Sequence, residues 1–204
     1  MIKRIVDTAG SVILLFLLLP VLVAITALVK FTSKGPIIFK QRRIGLNKKE
    51  FNIYKFRTMY IETPKNMATH LLENPDKYIT PLGRVLRKTS LDELPQLFNI
   101  LKGEMSFVGP RPALYNQYDL ISLRDQYGVH NVRPGITGWA QVNGRDELEI
   151  PVKVQFDKYY VEHGSLWLDI KIIFMTIFSV ILGKGVVEGK QIKSDKKEYA
   201  EIKN

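Results

Sequence analysis

The chain is 204 residues long, with 30 Lys and Arg against 20 Asp and Glu and a net charge of +10. That length suffices for one domain with a sizeable core plus accessory segments. The positive charge favours an anionic partner, which could be nucleic acid, anionic lipid or a phosphorylated substrate. Because the sequence contains no cysteine, disulfide scaffolds, thiolate zinc sites and cysteine nucleophiles are excluded.

The first predicted element is an uncharged apolar segment over residues 8–29. As one straight helix it would be long enough to span a membrane. Pro20 cannot donate a hydrogen bond to the carbonyl of Phe16, so a break is predicted at Leu19 and Pro20. Basic residues flank both ends of the segment, and a helix that enters and turns back keeps both flanks on the cytoplasmic side. We therefore favour a re-entrant, Pro-broken helix over a crossing helix, and a cleaved signal peptide is disfavoured.

The next elements are two short strands, one starting at Ile37 and one within 51–59, "FNIYKFRTM", where Lys55 lies near the end. Residues 60–78 are polar and interrupted by prolines, which predicts a surface excursion around one short helix. His70 lies in this excursion without ligand-type neighbours, so it is interpreted as a surface histidine.

Two helices are predicted on either side of "SLDELPQ", residues 90–96. The first begins with Thr80 as N-cap, and the second ends at Gly103. An extended segment, "MSFVGPRP", follows the second helix, and the Gly-rich stretch 133–145, "RPGITGWAQVNGR", has the composition of a loop.

The apolar segment 166–182 is predicted to form a helix that lies at a membrane surface or is buried in the domain. We divide the chain into a membrane helix at 1–33, a catalytic domain at 34–186 and a polar tail at 187–204.

The adjacent carboxylates Asp92 and Glu93 have two interpretations. Ser90 and Glu93 match the capping box, in which each side chain satisfies a backbone donor at a helix start. However, the sequence also places several cations nearby, and these exceed what one cap requires: Arg84, Arg87, Lys88 and Arg111. Carboxylates among guanidinium groups suit a site that holds phosphates while a carboxylate attacks phosphorus.

Three motifs in order, "KFRTM", "SLDELPQLFNILKGEMSFVGPRP" and "RPGITGWAQVNGR", together with the Pro-broken apolar helix, resemble the bacterial sugar transferase family. These are small monotopic phosphoglycosyl transferases that start capsule, O-antigen and glycoprotein glycan assembly. The resemblance implies transfer of a sugar 1-phosphate from a UDP-sugar to polyprenyl phosphate, with release of UMP. It places the chain at the bacterial cytoplasmic membrane, with the catalytic domain facing the cytoplasm.

The same resemblance implies roles for individual residues. Asp92 would be the nucleophile that forms a covalent phosphosugar intermediate, and it would also contact Mg²⁺. Glu93 would assist as a metal ligand or an acid/base partner. Arg87 and Arg111 would hold phosphate, with Arg111 fixed between Pro110 and Pro112.

Three further residues lie within family-like motifs and are assigned substrate-binding or structural roles: Lys55, Arg145 and Asp157. For Arg145, a salt bridge that ties the loop and a phosphate contact are equally good interpretations. The family often has a serine before the membrane proline, whereas this chain has Leu19. Leu19 cannot satisfy a backbone group that the proline frees in lipid.

The predicted architecture is helix-rich α+β: a compact cytosolic catalytic domain with a small sheet, a re-entrant membrane helix and interfacial amphipathic helices. The expected partners are a UDP-sugar, with an N-acetylated amino sugar preferred, then polyprenyl phosphate and membrane lipid. No nucleic acid is expected, and a homo-oligomer is left open. The alternative from a different class is a non-catalytic, membrane-tethered basic adaptor that binds anionic lipid or nucleic acid. A glycosyltransferase that releases the nucleoside diphosphate is disfavoured because no D-x-D motif is seen.

Overall fold

Eight α-helices and four short strands form the part of the chain that a computed structural model describes, residues 2–63, 75–144 and 148–182. The helices are α1 Ile2–Leu17, α2 Leu19–Thr32, α3 Pro81–Lys88, α4 Gln96–Lys102, α5 Tyr118–Asp125, α6 Trp139–Val142, α7 Ile150–His163 and α8 Leu166–Ile181. The strands are β1 Ile38–Ile44, β2 Glu50–Phe56, β3 Ser106–Val108 and β4 Gly135–Thr137. The helix-rich α+β prediction is confirmed. The predictions for His70, Arg145 and the tail 187–204 fall outside the described residues.

Helices α1 and α2 meet at a sharp bend of 65°. The bend lies at Leu18, just before the predicted position, because Pro20 in the first turn of α2 has no N–H for the carbonyl of Phe16. Within the described residues, no single helix combines the length and apolar character of a membrane span, although the bent pair together does by length and composition. The predicted break is therefore confirmed.

The start of α1 is fastened to the rest of the domain by polar side chains. Arg4 donates to the carbonyls of Ile100 and Leu101 at the end of α4. The buried carboxylate of Asp7 accepts from the Ser106 hydroxyl at 2.8 Å and from the Phe107 N–H at 3.2 Å. Because these contacts join α1 to α4 and β3, the N-terminal end of α1 lies against the domain.

Strands β1 and β2 form an antiparallel pair in which Ile38 is opposite Phe56 and Ile44 is opposite Glu50. The inward side chains of β2 pack against α4 in one core cluster: Phe51, Ile53, Leu97, Ile100 and Met105. This packing places the end of β2 beside the turn that precedes α4. Both predicted strands are thus confirmed, although β1 begins at Ile38 rather than Ile37.

Strands β3 and β4 form a second, separate two-stranded sheet with parallel pairing. The loop interpretation of 133–145 is therefore wrong for part of that stretch, because Gly135–Thr137 pairs with β3 and Trp139–Val142 is helical. Glycines permit this close pairing. A Cβ at Gly109 would lie 2.3 Å from the Arg133 carbonyl oxygen, so the chain leaving β3 is held tightly against β4.

Helix α8 forms over Leu166–Ile181, as predicted, and its buried side packs on the second sheet through Leu168 and Ile172. Its other side exposes a continuous set of large apolar side chains: Trp167, Ile170, Ile173, Phe174, Ile177 and Phe178. Trp167 is 77% exposed. A contiguous apolar surface of this kind is unusual on a helix that faces only water.

Candidate active site

Asp92 and Glu93 lie in a 3-10 turn, Leu91–Glu93, between α3 and α4. Each is only 8% exposed. The flanking leucines, Leu91 and Leu94, pack on a core cluster that includes Ile25 and Val29 of α2. The turn is therefore anchored to the N-terminal helix pair through apolar contacts, while its two carboxylates remain on the polar side.

Of the two interpretations of these carboxylates, the capping box of Ser90 and Glu93 is wrong. Ser90 takes a left-handed conformation with φ 57°, and its hydroxyl makes no capping hydrogen bond. A non-glycine residue rarely adopts this conformation, and here it turns the chain from α3 into the 3-10 turn. The Glu93 side chain is engaged instead by cations from other elements, which frees the two carboxylates from a purely local role.

Glu93 lies between two cations that are distant from it in sequence. The Lys55 ammonium, at the end of β2, donates to Glu93 Oε1 at 2.6 Å. The guanidinium Nη1 of Arg111 lies 3.6 Å from the same oxygen. All three side chains are largely buried. The structure thus brings together Lys55, Glu93 and Arg111, three residues that the sequence predicted as parts of one site.

Asp92 lies in the same electrostatic environment. Burial raises its pKa to about 6, with the Glu93 charge acting in the same direction, while Lys55, Arg87 and Arg111 partly offset the rise. At neutral pH the Asp92 carboxylate is therefore mostly ionised but remains proton-sensitive. Burial removes water from the Asp92 carboxylate, which favours its reaction as a nucleophile. The three cations stabilise its ionised form and suit a phosphoryl substrate.

Pro110, Arg111 and Pro112 follow β3 as an irregular segment that we call the Pro-Arg-Pro segment. Its prolines have no N–H, so the segment is fixed through its carbonyl oxygens. Pro110 accepts from the Gly135 N–H at 3.0 Å, and Pro112 accepts from Arg43 Nη1 at 2.9 Å. Arg111 is thus presented to Glu93 from a segment whose backbone is held on both sides.

Asp157 does not join the convergent set. It lies on α7, is 1% exposed, and accepts from Nη2 of Arg124 at 2.6 Å and from its Nε at 2.9 Å. Burial raises the pKa of Asp157, although Arg124 opposes the rise. Of the two roles left open for Asp157, the structure supports the structural one. Arg145 lies outside the described residues, so its predicted role stays a prediction.

Sequence reasoning missed three polar residues near the site. Arg43 and Arg124 each bond a backbone carbonyl of the Pro-Arg-Pro segment, and neither stands in a recognisable motif. Gln96 is 2% exposed at the start of α4, and its side-chain N–H₂ has no hydrogen-bond partner among the described residues. Its place within "SLDELPQ" was the only available signal, and proximity in sequence does not reveal a buried amide.

Asp92 and Glu93, which we call the dyad, fit a metal ion whose ligands come partly from the substrate better than one that is held by protein side chains alone. Within the described residues, no group of three or more His, Asp or Glu could hold a metal ion. Mg²⁺ commonly binds through one or two carboxylates and completes its shell with water and substrate phosphate oxygens. Asp92 and Glu93 supply two carboxylates of this kind, so the donor set fits Mg²⁺ that arrives with a phosphorylated substrate.

The fold and the site together form a buried carboxylate pair among cations, attached to a bent apolar helix pair. Comparison with known proteins shows the class to which the chain belongs. The model of the family described as "Bacterial sugar transferase" matches residues 1–183. The chain therefore belongs to the bacterial sugar transferase family, and the resemblance noted from its motifs is confirmed.

Individual relatives support the same family. The chain is 44% identical over 185 residues to an undecaprenyl-phosphate glucose phosphotransferase of Komagataeibacter xylinus, covering 86% of this chain and 35% of the relative. It is 40% identical over 189 residues to a UDP-N-acetylgalactosamine-undecaprenyl-phosphate N-acetylgalactosaminephosphotransferase of Aeromonas hydrophila, covering 90% and 44%.

A third relative has a similar length to this chain. The uncharacterized sugar transferase EpsL of Bacillus subtilis is 39% identical over 196 residues, which cover 96% of this chain and 95% of EpsL. By contrast, the chain spans only 35% and 44% of the two phosphotransferases. The part of the chain that the family model matches, residues 1–183, contains the Pro-Arg-Pro segment and Leu91–Glu93, which we call the dyad turn.

Proposed function

We propose that the protein transfers a sugar 1-phosphate from a UDP-sugar to undecaprenyl phosphate, with Asp92 as the nucleophile and UMP as the released product. This would be the first membrane step in assembling a bacterial surface or secreted glycan. The observation that carries the proposal is the placement of a proton-sensitive carboxylate, Asp92, beside Glu93 among Lys55, Arg87 and Arg111. The names of the relatives support the same reaction class.

The proposed chemistry has two displacements at the phosphorus attached to the sugar. First, an Asp92 carboxylate oxygen attacks that phosphorus, the bond to the bridging oxygen breaks, and UMP leaves with the electron pair. A phosphate oxygen of undecaprenyl phosphate then attacks the same phosphorus. The Asp92–phosphorus bond breaks, the carboxylate is restored, and the sugar is left on a lipid diphosphate. Neither displacement requires a net proton transfer.

The cations have distinct parts in this scheme. Arg111 and Arg87 hold phosphoryl oxygens and offset the repulsion between the approaching carboxylate and the substrate's negative charge. Lys55 holds Glu93 at 2.6 Å and keeps that second carboxylate from repelling the substrate. Mg²⁺ held by Asp92 and Glu93 would neutralise the diphosphate and the departing UMP.

The bent helix pair supports insertion into one membrane leaflet. Most residues of its middle expose apolar side chains, with Phe16 77% exposed at the bend. The start of α1 is tied to the domain through Arg4 and Asp7. The carbonyl of Ser33, directly after α2, accepts from Arg57 at 2.7 Å, so both ends of the pair lie on the domain's side. We therefore propose a re-entrant hairpin, with α8 lying at the membrane surface through its exposed apolar side.

The identity of the sugar is the least constrained part of the proposal. Of the relatives named above, one is a glucose phosphotransferase and another is an N-acetylgalactosaminephosphotransferase. An N-acetylated amino sugar is our first choice of donor, and UDP-glucose belongs in the same panel. We place the reaction at the cytoplasmic face of the inner membrane, because the nucleotide-sugar donor would meet the cationic domain there.

The test is to incubate the purified protein in lipid with UDP-sugars, Mg²⁺ and undecaprenyl phosphate, and to identify the nucleotide released. UMP is the expected product, formed only when both substrates are present in multiple-turnover conditions. UDP as the product would contradict phosphosugar transfer. Absence of any nucleotide product across the panel would favour the non-catalytic adaptor. The matched variants are Asp92→Asn and Asp119→Asn, since Asp119 is an exposed aspartate on α5 and its change should leave UMP release intact.

A further inference from the structure

Four successive backbone carbonyls hold the Pro-Arg-Pro segment and the alanine that follows it. Those of Pro110, Pro112 and Ala113 accept from Gly135 N–H, from Arg43 Nη1 and from Ile44 N–H, respectively. The remaining carbonyl, that of Arg111, accepts from Arg124 Nη1 at 2.8 Å. Three of the four hydrogen bonds come from the two small sheets, whereas Arg124 reaches the segment from α5.

Arg124 itself is held by a buried carboxylate. Its Nε and Nη2 both donate to Asp157 Oδ2, at 2.9 and 2.6 Å, and the side chains of Arg124 and Asp157 are 3% and 1% exposed. A guanidinium held at two of its nitrogens has little freedom to rotate. The third nitrogen, Nη1, is therefore aimed at the Arg111 carbonyl by the bond to Asp157.

Fixing this carbonyl also fixes the direction of the Arg111 side chain. Arg111 precedes a proline, so its backbone is already restricted to extended conformations. The bond from Arg124 selects the orientation of the peptide plane between Arg111 and Pro112. The guanidinium at the other end of Arg111 lies 3.6 Å from Glu93, so the buried pair and the dyad are connected through one residue.

We propose that Arg124, oriented by Asp157, is a positioning residue that holds Arg111 in place to receive the phosphate of the substrate. The inference rests on the proposed function and adds to it a buried residue pair that orients the phosphate-binding arginine. Neither Arg124 nor Asp157 touches the reacting atoms in this account. Burying a charged pair costs desolvation free energy that apolar residues of similar size do not incur, which is consistent with retention for geometry rather than for stability.

The test replaces the pair as a unit, so that no lone charge is left buried. The variant Arg124→Leu with Asp157→Leu should lower kcat by about 10- to 100-fold, the effect of a displacement near 1 Å at a positioned group. KM for the UDP-sugar should change much less. Arg124→Lys is the second variant, since it keeps a charge for Asp157 but cannot supply three fixed donors. It should show a smaller fall in kcat and still unfold in one cooperative transition, at a lower temperature than the wild type because buried hydrogen bonds are lost.

A double-mutant cycle separates positioning from general stability. Arg111→Ala alone should lower kcat/KM by about 10²- to 10³-fold, as loss of one preorganised donor does. If the pair acts through Arg111, adding both leucines to Arg111→Ala should change the rate by less than about 3-fold. Losses that multiply would overturn the proposal. The exposed pair Lys158 and Glu162 on the same helix as Asp157 provides the control, as Lys158→Gln with Glu162→Gln should leave all rates unchanged.

A second measurement does not depend on activity. Hydrogen–deuterium exchange should become faster over residues 109–114 in the double-leucine variant and in Arg124→Lys, while α4, residues 96–102, keeps its protection. Unchanged exchange over 109–114 would overturn the positioning role of Arg124 even if UMP release confirms the proposed function. Conversely, faster exchange in a protein that releases no UMP would support that positioning role and contradict the proposed function.

Discussion

The dyad turn and the Pro-Arg-Pro segment meet at Glu93, but they are held in place by different means. The turn, Leu91–Glu93, is short, rests on leucine packing, and has its carboxylates oriented by the charges of other elements. The Pro-Arg-Pro segment is fixed through its backbone, with each carbonyl from Pro110 to Ala113 hydrogen-bonded. The difference separates two tasks: a nucleophile whose reactivity depends on charge, and a phosphate-binding arginine whose value depends on position.

The largest effect is expected for Asp92→Asn. Removing a nucleophile commonly lowers kcat by about 10³-fold or more, and UMP release should fall to background. The fold should remain intact and become more stable at neutral pH, because burial raises the pKa of Asp92 to about 6. Thermal unfolding of both proteins checks this.

The sign of that stability difference follows from the raised pKa. The ordinary pKa of the group is 3.8 and the folded value is about 6, so the folded protein binds this proton more tightly than the unfolded chain does. Its favourable contribution is present below about pH 3.8 and is lost as the pH rises through 6. Asn carries no such penalty, so the melting temperature of Asp92→Asn should exceed that of the wild type at pH 7.5, with the gap closing toward pH 4. An equal gap at both values would contradict the burial of an ionised Asp92.

A smaller effect, also below the one expected for Arg111→Ala, is expected for Lys55→Met. The change removes the ammonium that holds Glu93 at 2.6 Å and the main charge that lowers the pKa of Asp92. We expect kcat/KM to fall by about 10- to 100-fold, since a partly buried charged donor is lost beside the substrate. Lys49→Met, at an exposed position, is the matched control. Equal rates for the two variants would show that Lys55 has no role in the reaction.

A smaller effect is expected from pH alone. Because Asp92 has a pKa of about 6 and must be ionised to attack, kcat/KM should fall by about 10-fold between pH 7 and pH 5. In Lys55→Met the midpoint of this acid limb should move to higher pH, since a charge that lowers the Asp92 pKa is gone. A limb whose midpoint stays fixed would assign the titration to another group.

The smallest effect is expected for Thr80→Ala at the start of α3, the helix that carries Arg87. The Thr80 hydroxyl accepts from the Gly83 N–H at 2.9 Å, and loss of such a cap costs about 1 kcal/mol. Denaturant unfolding should show this loss while UMP release stays within about twofold of the wild type. A large fall in rate at unchanged stability would mean that the cap acts on the site and not only on the helix.

The sequence predicted the local elements well where a single physical signal governs them. Pro20 marked the bend, Thr80 the start of α3 and Gly103 the end of α4. It failed where tertiary contacts decide. Ser90 looked like a cap but adopts a left-handed conformation because the chain must turn there, and the Gly-rich stretch at 133–145 contains a strand because β3 lies alongside it.

The candidate site shows the same division. The residues that contact one another at the dyad, Lys55, Glu93 and Arg111, were all predicted, because charged side chains in motifs signal chemistry. Their supports, Arg43 and Arg124, were not predicted. Each of these arginines acts on a backbone carbonyl, and a carbonyl oxygen is present at every residue, so the sequence carries no mark of which one is bonded.

The most direct test of Asp92 as the nucleophile is to trap the covalent intermediate. The protein is mixed with a UDP-sugar and Mg²⁺ without undecaprenyl phosphate, digested with trypsin under mildly acidic conditions, and analysed by mass spectrometry. Cleavage after Lys88 and Lys102 isolates one peptide, residues 89–102, that carries both dyad carboxylates. We expect a sugar-phosphate adduct on Asp92 of this peptide, with one UMP released per adduct, and none in Asp92→Asn. An adduct on Glu93, or UMP release by Asp92→Asn at the wild-type rate, would contradict the assignment of Asp92 as the nucleophile.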